Sequence, residues 1–239
     1  MLKNHKLNFI VNGIFLALII VFDICYMTVD CSSYVFKPLT SALFVLCGLF
    51  NLNYCIKTNL FKNKWFMILL FVGLVFAMLG DILLIDYFIV GAILFAIGHV
   101  FFFASFVALE GFNWLDLVLG GLIFGIALLL IELYPNFEFG EGMKIVVVLY
   151  ALIISFMLGK ALSNLIAKKN LKLDLLIFAG ALLFFLSDLM LLFNVFASAP
   201  RVFDILCLSF YYPAEFLLAF SIAFAGMYFE KKLQSNPNA

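Results

Sequence analysis

Eight apolar stretches, each about twenty residues long, constrain the fold of this chain more than any other feature. A helix rises 1.5 Å per residue, so about twenty residues cross a hydrocarbon core of about 30 Å. The stretches lack the regular alternation that is typical of membrane β-strands. We therefore expect an all-α fold, a bundle of eight transmembrane helices. The predicted spans are residues 9–29, 36–56, 65–86, 88–109, 115–134, 143–164, 173–196 and 205–229.

Composition agrees with a chain that lies almost wholly in a membrane. The 239 residues are 67% hydrophobic and only 12% charged, and their mean hydropathy is +1.23. Soluble domains have about half apolar and about a quarter charged residues, so water could not wet a surface of this composition. No polar block is long enough to form a soluble domain. We therefore expect one integral membrane domain over residues 1–239.

Lysine and arginine are distributed unevenly between the connections. Cytoplasmic loops of membrane proteins carry an excess of these residues. If the N-terminus is cytoplasmic, eleven lysines collect on that side, and the opposite side keeps only Lys37, Lys144 and Arg201. Because the number of spans is even, we expect both termini in the cytoplasm. Lys outnumbers Arg thirteen to one, as AT-rich coding gives, so we expect a bacterial inner membrane, or the endoplasmic reticulum if the host is a eukaryote.

Two aspartates interrupt otherwise apolar spans. Asp81 lies in LVFAMLGDILLIDYF, and Asp188 lies in LLFFLSDLMLLFNVF. Ionisable groups inside a membrane are costly and are typical of functional sites. The segments around them, residues 71–84 and 178–191, match at several positions, which indicates a duplicated four-helix unit. Such a repeat would bring the two aspartates together near a pseudo-twofold axis.

The other polar groups of the spans lie mainly between the midplane and the predicted outer surface. We expect them to face a pocket that opens outward or to the outer leaflet, with carboxylates on its walls and a lysine at its mouth. Tyr211 and Tyr212 precede Glu215 by four and three residues, so a helix places all three on one face. The candidate binding residues are Lys37, His99, Tyr211, Tyr212, Glu215, Asn194 and Asp23.

The residue inventory restricts the chemistry. With two histidines and no C-x-x-C pair among the five cysteines, we expect neither a metal nor another cofactor. The chain has no G-x-S-x-G turn and no glycine-rich phosphate loop. Acid–base catalysis by the two aspartates remains, as does a proton-coupled transporter of a small molecule or lipid that uses the same groups. A protein that binds lipid without chemistry is a further alternative.

Several segments, taken together and in order, resemble the YhhN-like membrane proteins, the lysoplasmalogenase family. They lie between about residues 36 and 225. No single segment is specific to the family, but the ordered set is. The family usually has Gln where this chain has Glu215. The segments are FKPLTSAL, AMLGDILLI followed by GAILFAIGHVFFFASF, AGALLFFLSDLMLLFNVF, and SFYYPAEFLLAFS.

The resemblance implies an eight-helix membrane enzyme that hydrolyses the vinyl ether bond of lysoplasmalogens, which are alkenyl lysophospholipids. The products would be a fatty aldehyde and glycerophospho-ethanolamine or -choline. A related hydrolase of ester or amide lipids stays open, because family members need not share one substrate. The implied partner is a lysophospholipid from the bilayer, and we expect no nucleic acid partner. The implied catalytic pair is Asp81 and Asp188, and the implied pocket residues are Lys37, His99, Tyr211 and Tyr212.

Overall fold

A computed structural model describes residues 5–28, 33–61 and 63–235, and within these ranges every regular element is an α-helix. The eight helices are all long and apolar enough to cross a membrane, which confirms the predicted all-α fold. Their bounds are α1 (His5–Thr28), α2 (Ser33–Lys57), α3 (Lys64–Leu83), α4 (Phe88–Glu110), α5 (Trp114–Leu133), α6 (Met143–Ala167), α7 (Leu171–Phe196) and α8 (Val202–Ser235).

Most helix ends lie within three residues of the predicted span ends, with two exceptions. Helix α1 begins four residues earlier than expected, and α8 continues six residues past the predicted end at 229. Hydropathy marks only the part of a helix that lies in the bilayer. The residues that extend α8 are mostly Glu, Lys, Leu and Gln, which favour helix without being apolar.

The two halves of the chain pack alike. Helices α3 and α4 form one tightly packed hairpin, α7 and α8 form the other, and the contacts of α2 with α8 and of α4 with α6 join the halves. A Cβ added to Gly73 on α3 would lie 3.2 Å from the Gly98 carbonyl oxygen on α4. A Cβ added to Gly180 on α7 would likewise lie 3.3 Å from the Ala214 carbonyl oxygen on α8. This packing agrees with the predicted four-helix repeat.

The start of α1 lies beside the ends of α2 and α8. The His5 ring bonds the Tyr54 hydroxyl at 2.8 Å through Nδ1, and His5 Nε2 lies 3.4 Å from Glu230 Oε2. Of the described lysines, Lys57 ends α2, Lys169 follows α6 and Lys232 lies in the last turn of α8, so these three belong to this end of the bundle. The cytoplasmic location of that end stays a prediction, and we refer to the opposite end, where α2 and α8 begin, as the outer end.

Candidate active site

Asp81 lies in a buried ion pair near the outer end. The Ser41 hydroxyl donates to Asp81 Oδ2 at 2.6 Å, and the Tyr212 hydroxyl donates to the same oxygen at 3.3 Å. Lys37 Nζ lies 3.3 Å from Oδ1. Lys37 and Ser41 are four residues apart on α2, so the helix presents both to one neighbour. Both oxygens of Asp81 are therefore engaged, by α2 on one side and α8 on the other.

Asp23 and Tyr26 of α1 complete this cluster. Lys37 Nζ lies 6.0 Å from the centre of the Tyr26 ring, within the range of a cation–π contact. Asp23 is largely buried and interacts electrostatically with Asp81. Its Oδ1 has no hydrogen-bond partner among the described residues. Asp23 thus adds a second acidic side chain to the cluster.

Asp188 lies in a second cluster, with partners from α4 and α6. The Tyr150 hydroxyl donates to Asp188 Oδ2 at 2.7 Å, and His99 Nε2 lies 3.2 Å from the same oxygen. The Tyr150 oxygen and His99 Nε2 are themselves 2.9 Å apart. These three groups form a closed ring of contacts. No hydrogen bond from the described residues falls on Asp188 Oδ1.

Aromatic rings lie between the two clusters. The Tyr211 ring is 5.0 Å from that of Tyr212 and 5.3 Å from that of Phe184. The Phe184 ring meets that of His99 edge-on, with 4.5 Å between the ring centres. The structure therefore gives Asp81 and Asp188 separate partners on either side of an aromatic layer, rather than one shared hydrogen-bond network. The Tyr211 hydroxyl donates to the Ala77 carbonyl at 3.3 Å.

Glu215 and Asn194 lie outside both hydrogen-bond networks. Glu215 is completely buried, and neither carboxyl oxygen has a hydrogen-bond partner among the described residues. Its carboxyl is close enough to both Asp81 and Asp188 to interact electrostatically with them. Asn194 is half-buried on α7, six residues beyond Asp188, and makes no side-chain hydrogen bond to the described residues.

Three residues of the site, Tyr150, Ser41 and Tyr26, were not among the sequence candidates. Ser41 carries a recognisable signal, since it follows Lys37 by four residues. Tyr150 lies seven residues inside the outer end of α6, about as deep as Asp188 lies inside the outer end of α7. A comparison of how deep each residue lies in its predicted span would have placed Tyr150 and Asp188 at the same level of the bilayer. It would not have shown that α6 and α7 are neighbours.

Apolar grooves reach the Asp188 cluster from two sides. One is lined by residues of α4, α6 and α7 and by Leu84, which follows α3, and the other by residues of α5, α6 and α7. Tyr150 and Asp188 line both. The side chain of Asp188 is 11% exposed, whereas that of Asp81 is 3% exposed. In the part of the chain that the structure describes, no three His, Cys, Asp or Glu side chains converge as a metal site.

Comparison with known proteins gives one family and no solved structure. The model of the YhhN family matches residues 32–222. The chain is 34% identical over 165 residues to "Lysoplasmalogenase TMEM86A" of Bos taurus, and 33% identical over 159 residues to the protein of that name from Homo sapiens. Each alignment covers 64% of this chain and 64% of the relative. No solved structure matches. Because the family model covers 191 of the 239 residues, the chain belongs to the YhhN family.

Proposed function

We propose that this protein is a membrane-embedded hydrolase that cleaves the vinyl ether bond of lysoplasmalogens. The products are a fatty aldehyde and glycerophospho-ethanolamine or -choline. The observation that carries the proposal is the pair of intramembrane carboxylates, Asp81 and Asp188, each held in a different setting. The names of the two relatives support the choice of substrate.

The reaction suits a site with two differently held carboxyl groups. A proton is added to the alkenyl carbon that is second from the ether oxygen, which leaves an oxocarbenium ion at the first carbon. Water adds to that carbon and loses a proton, and the resulting hemiacetal collapses to aldehyde and alcohol. One group has to donate the proton, and an anionic carboxylate stabilises the cation. The net reaction consumes one water and returns the proton to the site.

The two clusters offer these roles to different residues. Asp188, with a hydroxyl and an imidazole on one oxygen, can exchange a proton with His99 and Tyr150. Asp81 is matched by the ammonium of Lys37 and is fixed by two hydroxyls. In our proposal Asp188 therefore supplies and recovers the proton, and Asp81 is the fixed negative charge. The Lys37 side chain is 13% exposed and lies against Asp81, so charge balance is its first role, ahead of contact with a lipid phosphate.

The helices that the structure describes do not favour the transporter alternative. Transporters that bind ions near the midplane use helices that are broken there, in matching positions of two repeats. Helix α3 is continuous through Asp81, and helix α7 is continuous through Asp188. We place the enzyme in the inner membrane of a bacterium, with the active site toward the outer leaflet and both termini in the cytoplasm. That placement rests on the distribution of lysine.

The test is hydrolysis by purified protein in lipid nanodiscs. Aldehyde release is followed from a lysoplasmalogen, and fatty acid release from the acyl lysophospholipid with the same headgroup and chain length. We expect aldehyde from the vinyl ether, no turnover of the acyl lipid, and loss of activity in both Asp81→Asn and Asp188→Asn. Asp86→Asn is the control, since Asp86 accepts from Tyr34 at the surface. Turnover of the acyl lipid alone, or full activity of either aspartate variant, would refute the proposal.

A further inference from the structure

We propose that Glu215 holds the water molecule that adds to the oxocarbenium ion. This inference rests on the proposed function, because hydrolysis of a vinyl ether requires one water at the reacting carbon. It gives a role to a buried group that the proton transfers of Asp188 and the fixed charge of Asp81 leave unused.

The Glu215 carboxyl has hydrogen-bonding capacity that the described part of the protein does not fill. The side chain is 0% exposed, and both carboxyl oxygens are buried without a partner among the described residues. Buried polar groups in proteins are almost always hydrogen-bonded, and ordered water supplies the partner where the chain does not. A buried carboxyl of this kind therefore indicates a bound water.

The polar groups within electrostatic range of Glu215 are those of the candidate active site. Its carboxyl interacts with the carboxyls of Asp81 and Asp188, and it affects the hydroxyls of Tyr150 and Tyr211 in turn. A buried water needs about two to four polar partners. Asp188 keeps Oδ1 free of hydrogen bonds from the described residues, so Glu215 and Asp188 each have an acceptor to offer a water.

The chemistry of these neighbours selects water as the partner. A carboxylate only accepts hydrogen bonds, so Glu215 cannot bond directly to an ionised aspartate. Lys37, the cation of the site, is already placed against Asp81 Oδ1. A water has two hydrogens and can donate one to Glu215 and one to Asp188. Its lone pairs then remain available to the carbon, as a nucleophile requires.

The repeat gives Glu215 the same relation to its half of the bundle as His99. Each follows the residue of α4 or α8 that packs against a glycine of α3 or α7. The His99 side chain reaches Asp188 on α7, with Nε2 3.2 Å from Oδ2. The equivalent direction from α8 leads toward Asp81 on α3, which agrees with the interaction between Glu215 and that aspartate. Glu215 therefore projects into the site, as His99 does.

The held water completes the reaction that the aspartates begin. Asp188 adds its proton to the second alkenyl carbon, and the water oxygen forms a bond to the first carbon, which carries the positive charge. The water then gives up one proton to Asp188, which restores the acid. Glu215 neither gains nor loses a proton in these steps. An amide oxygen in its place can accept from the same water, so the role requires a polar side chain but not an acid.

The first experiment detects the water without any reaction. X-ray radiolysis converts water into hydroxyl radicals, which label a side chain beside a bound water even where that side chain is buried. Tyr211 lies one helical turn before Glu215 and is 3% exposed. We expect Tyr211 to be labelled in wild type and Glu215→Gln, and to lose most of that labelling in Glu215→Met. Equal labelling of Tyr211 in Glu215→Met and wild type, or none in wild type, would refute the bound water.

The matched control is Ser221→Ala. Ser221 is a fully buried polar residue on the same helix, but its hydroxyl donates to the Leu218 carbonyl at 2.7 Å, within α8. Removal of that hydroxyl leaves the site unchanged. Ser221→Ala should therefore keep both the labelling of Tyr211 and the rate of aldehyde release.

The second experiment asks whether this water is the nucleophile. Without it the oxocarbenium ion persists, and the second carbon can return a proton to Asp188 and form the vinyl ether again. In D₂O that carbon has received a deuteron and loses a hydrogen, so the recovered lipid carries deuterium. We expect Glu215→Met to lower kcat about 10- to 100-fold, the loss of one strong hydrogen bond, and to leave deuterium in the uncleaved lysoplasmalogen. Glu215→Gln should restore aldehyde release.

The outcomes separate this inference from the proposed reaction. A fall in kcat without deuterium in the uncleaved lipid would overturn the role in water addition, because a merely structural defect slows protonation as well. Glu215→Leu replaces Glu215→Met if the latter does not fold. If wild type releases no aldehyde but Tyr211 is labelled in the expected pattern, only the proposed reaction fails and the bound water at Glu215 stands. Full kcat in a stable Glu215→Met would refute the inference and leave the reaction standing.

Discussion

The two aspartates differ in how many of their oxygens are already engaged. Asp81 has hydroxyls on one oxygen and an ammonium on the other, so its geometry is fixed before any substrate arrives. Asp188 has both of its partners on a single oxygen. At the scale of single residues, the first arrangement suits a permanent charge and the second suits a group that contacts substrate.

Tyr150 is the residue whose removal tests the Asp188 cluster most simply. Tyr150→Phe keeps the ring against His99 but removes the hydroxyl that donates to Asp188. Hydrogen bonds to charged groups contribute about 1.5–3 kcal/mol, so we expect kcat for aldehyde release to fall by a factor of about 10 to 100. Tyr228→Phe, near the end of α8 that lies opposite the outer end, is the control and should keep full activity. Wild-type kcat in Tyr150→Phe would exclude a role for the hydroxyl.

Lys37 tests the charge balance around Asp81. Lys37→Met leaves the carboxylate with two hydroxyls and no cation. Removing one partner of a buried ion pair costs about 3–5 kcal/mol, so we expect a large fall in the thermal unfolding midpoint. Adding Asp81→Asn removes the uncompensated charge and should raise the midpoint again. If the double variant were no more stable than Lys37→Met, the ion pair would not be the reason for the loss.

An exposed ion pair provides the matched control for that comparison. Lys144 Nζ lies 2.7 Å from Glu132 Oε2, but both side chains are almost half exposed. Exposed pairs contribute about 0–1 kcal/mol. Lys144→Met should therefore leave the unfolding midpoint close to that of wild type, in contrast to Lys37→Met.

Glu215 is a buried carboxyl without a hydrogen-bond partner in the described chain, and such groups are unfavourable. Glu215→Gln keeps the shape of the side chain and replaces the acid with an amide. We expect the variant to fold, to unfold at the same or a higher temperature, and to keep aldehyde release within about twofold of wild type. A large loss of activity in a stable variant would show that this acid takes part in the reaction.

Close contacts between helices determine the positions of the helices that surround the candidate site. Helices α5 and α6 approach so closely that a Cβ added to Gly159 would lie 2.6 Å from the Gly120 Cα, a backbone atom that cannot move aside. Small residues at such positions let membrane helices pack backbone to backbone. Helix α6 carries Tyr150, and both helices line the apolar groove of α5, α6 and α7 that reaches Asp188.

Gly159→Ala should therefore destabilise the protein although alanine favours helix. Overpacking costs about 1–3 kcal/mol, and we expect a lower unfolding midpoint in nanodiscs. The control is Gly125→Ala on α5, where an added Cβ meets nothing within 4 Å. That change should be neutral or slightly stabilising, since alanine favours helix over glycine by about 1 kcal/mol. Equal midpoints for the two variants would contradict the close contact.

The transmembrane helices could be predicted from the sequence more completely than the candidate active site. Each span shows as an apolar run, because the bilayer imposes one length on every helix. The partners of the aspartates depend instead on which helices touch. Lys37 and His99 could be chosen as rare polar groups in apolar spans, but Tyr150 is one of nine tyrosines. Only the contacts of α6 with α4 and α7 single it out.

Across the whole molecule, the two clusters occupy related places in the two halves. Gly73 meets Gly98, and Gly180 meets Ala214, so the residues that follow, His99 and Glu215, correspond. Four residues before His99 and Glu215, Phe95 and Tyr211 also correspond, and the centres of their rings lie 5.7 Å apart. Equivalent residues in mutual contact lie beside the pseudo-twofold axis. The aromatic layer between the clusters therefore lies near the axis of the repeat.

The two halves pack alike but differ in the side chains that contact their aspartates. Asp81 takes its partners from α2 and α8, and Asp188 takes its partners from α6 and α4, which are the equivalent helices. The chemistry of the partners differs, with a lysine and hydroxyls on one side and a histidine and a phenol on the other. A fold built from two similar halves thus presents two carboxylates in unlike settings, which suits the proposed hydrolysis of a vinyl ether.

Hydrolysis in heavy water tests the central claim most directly. Wild-type protein in nanodiscs is given a lysoplasmalogen in D₂O, and the aldehyde is analysed by mass spectrometry, with protein-free and Asp188→Asn samples as controls. Protonation of the second alkenyl carbon predicts an aldehyde with one deuterium on the carbon next to the carbonyl, formed by wild type and not by Asp188→Asn. Aldehyde released by the enzyme without that deuterium, or release that Asp188→Asn leaves unchanged, would contradict vinyl ether hydrolysis at this site.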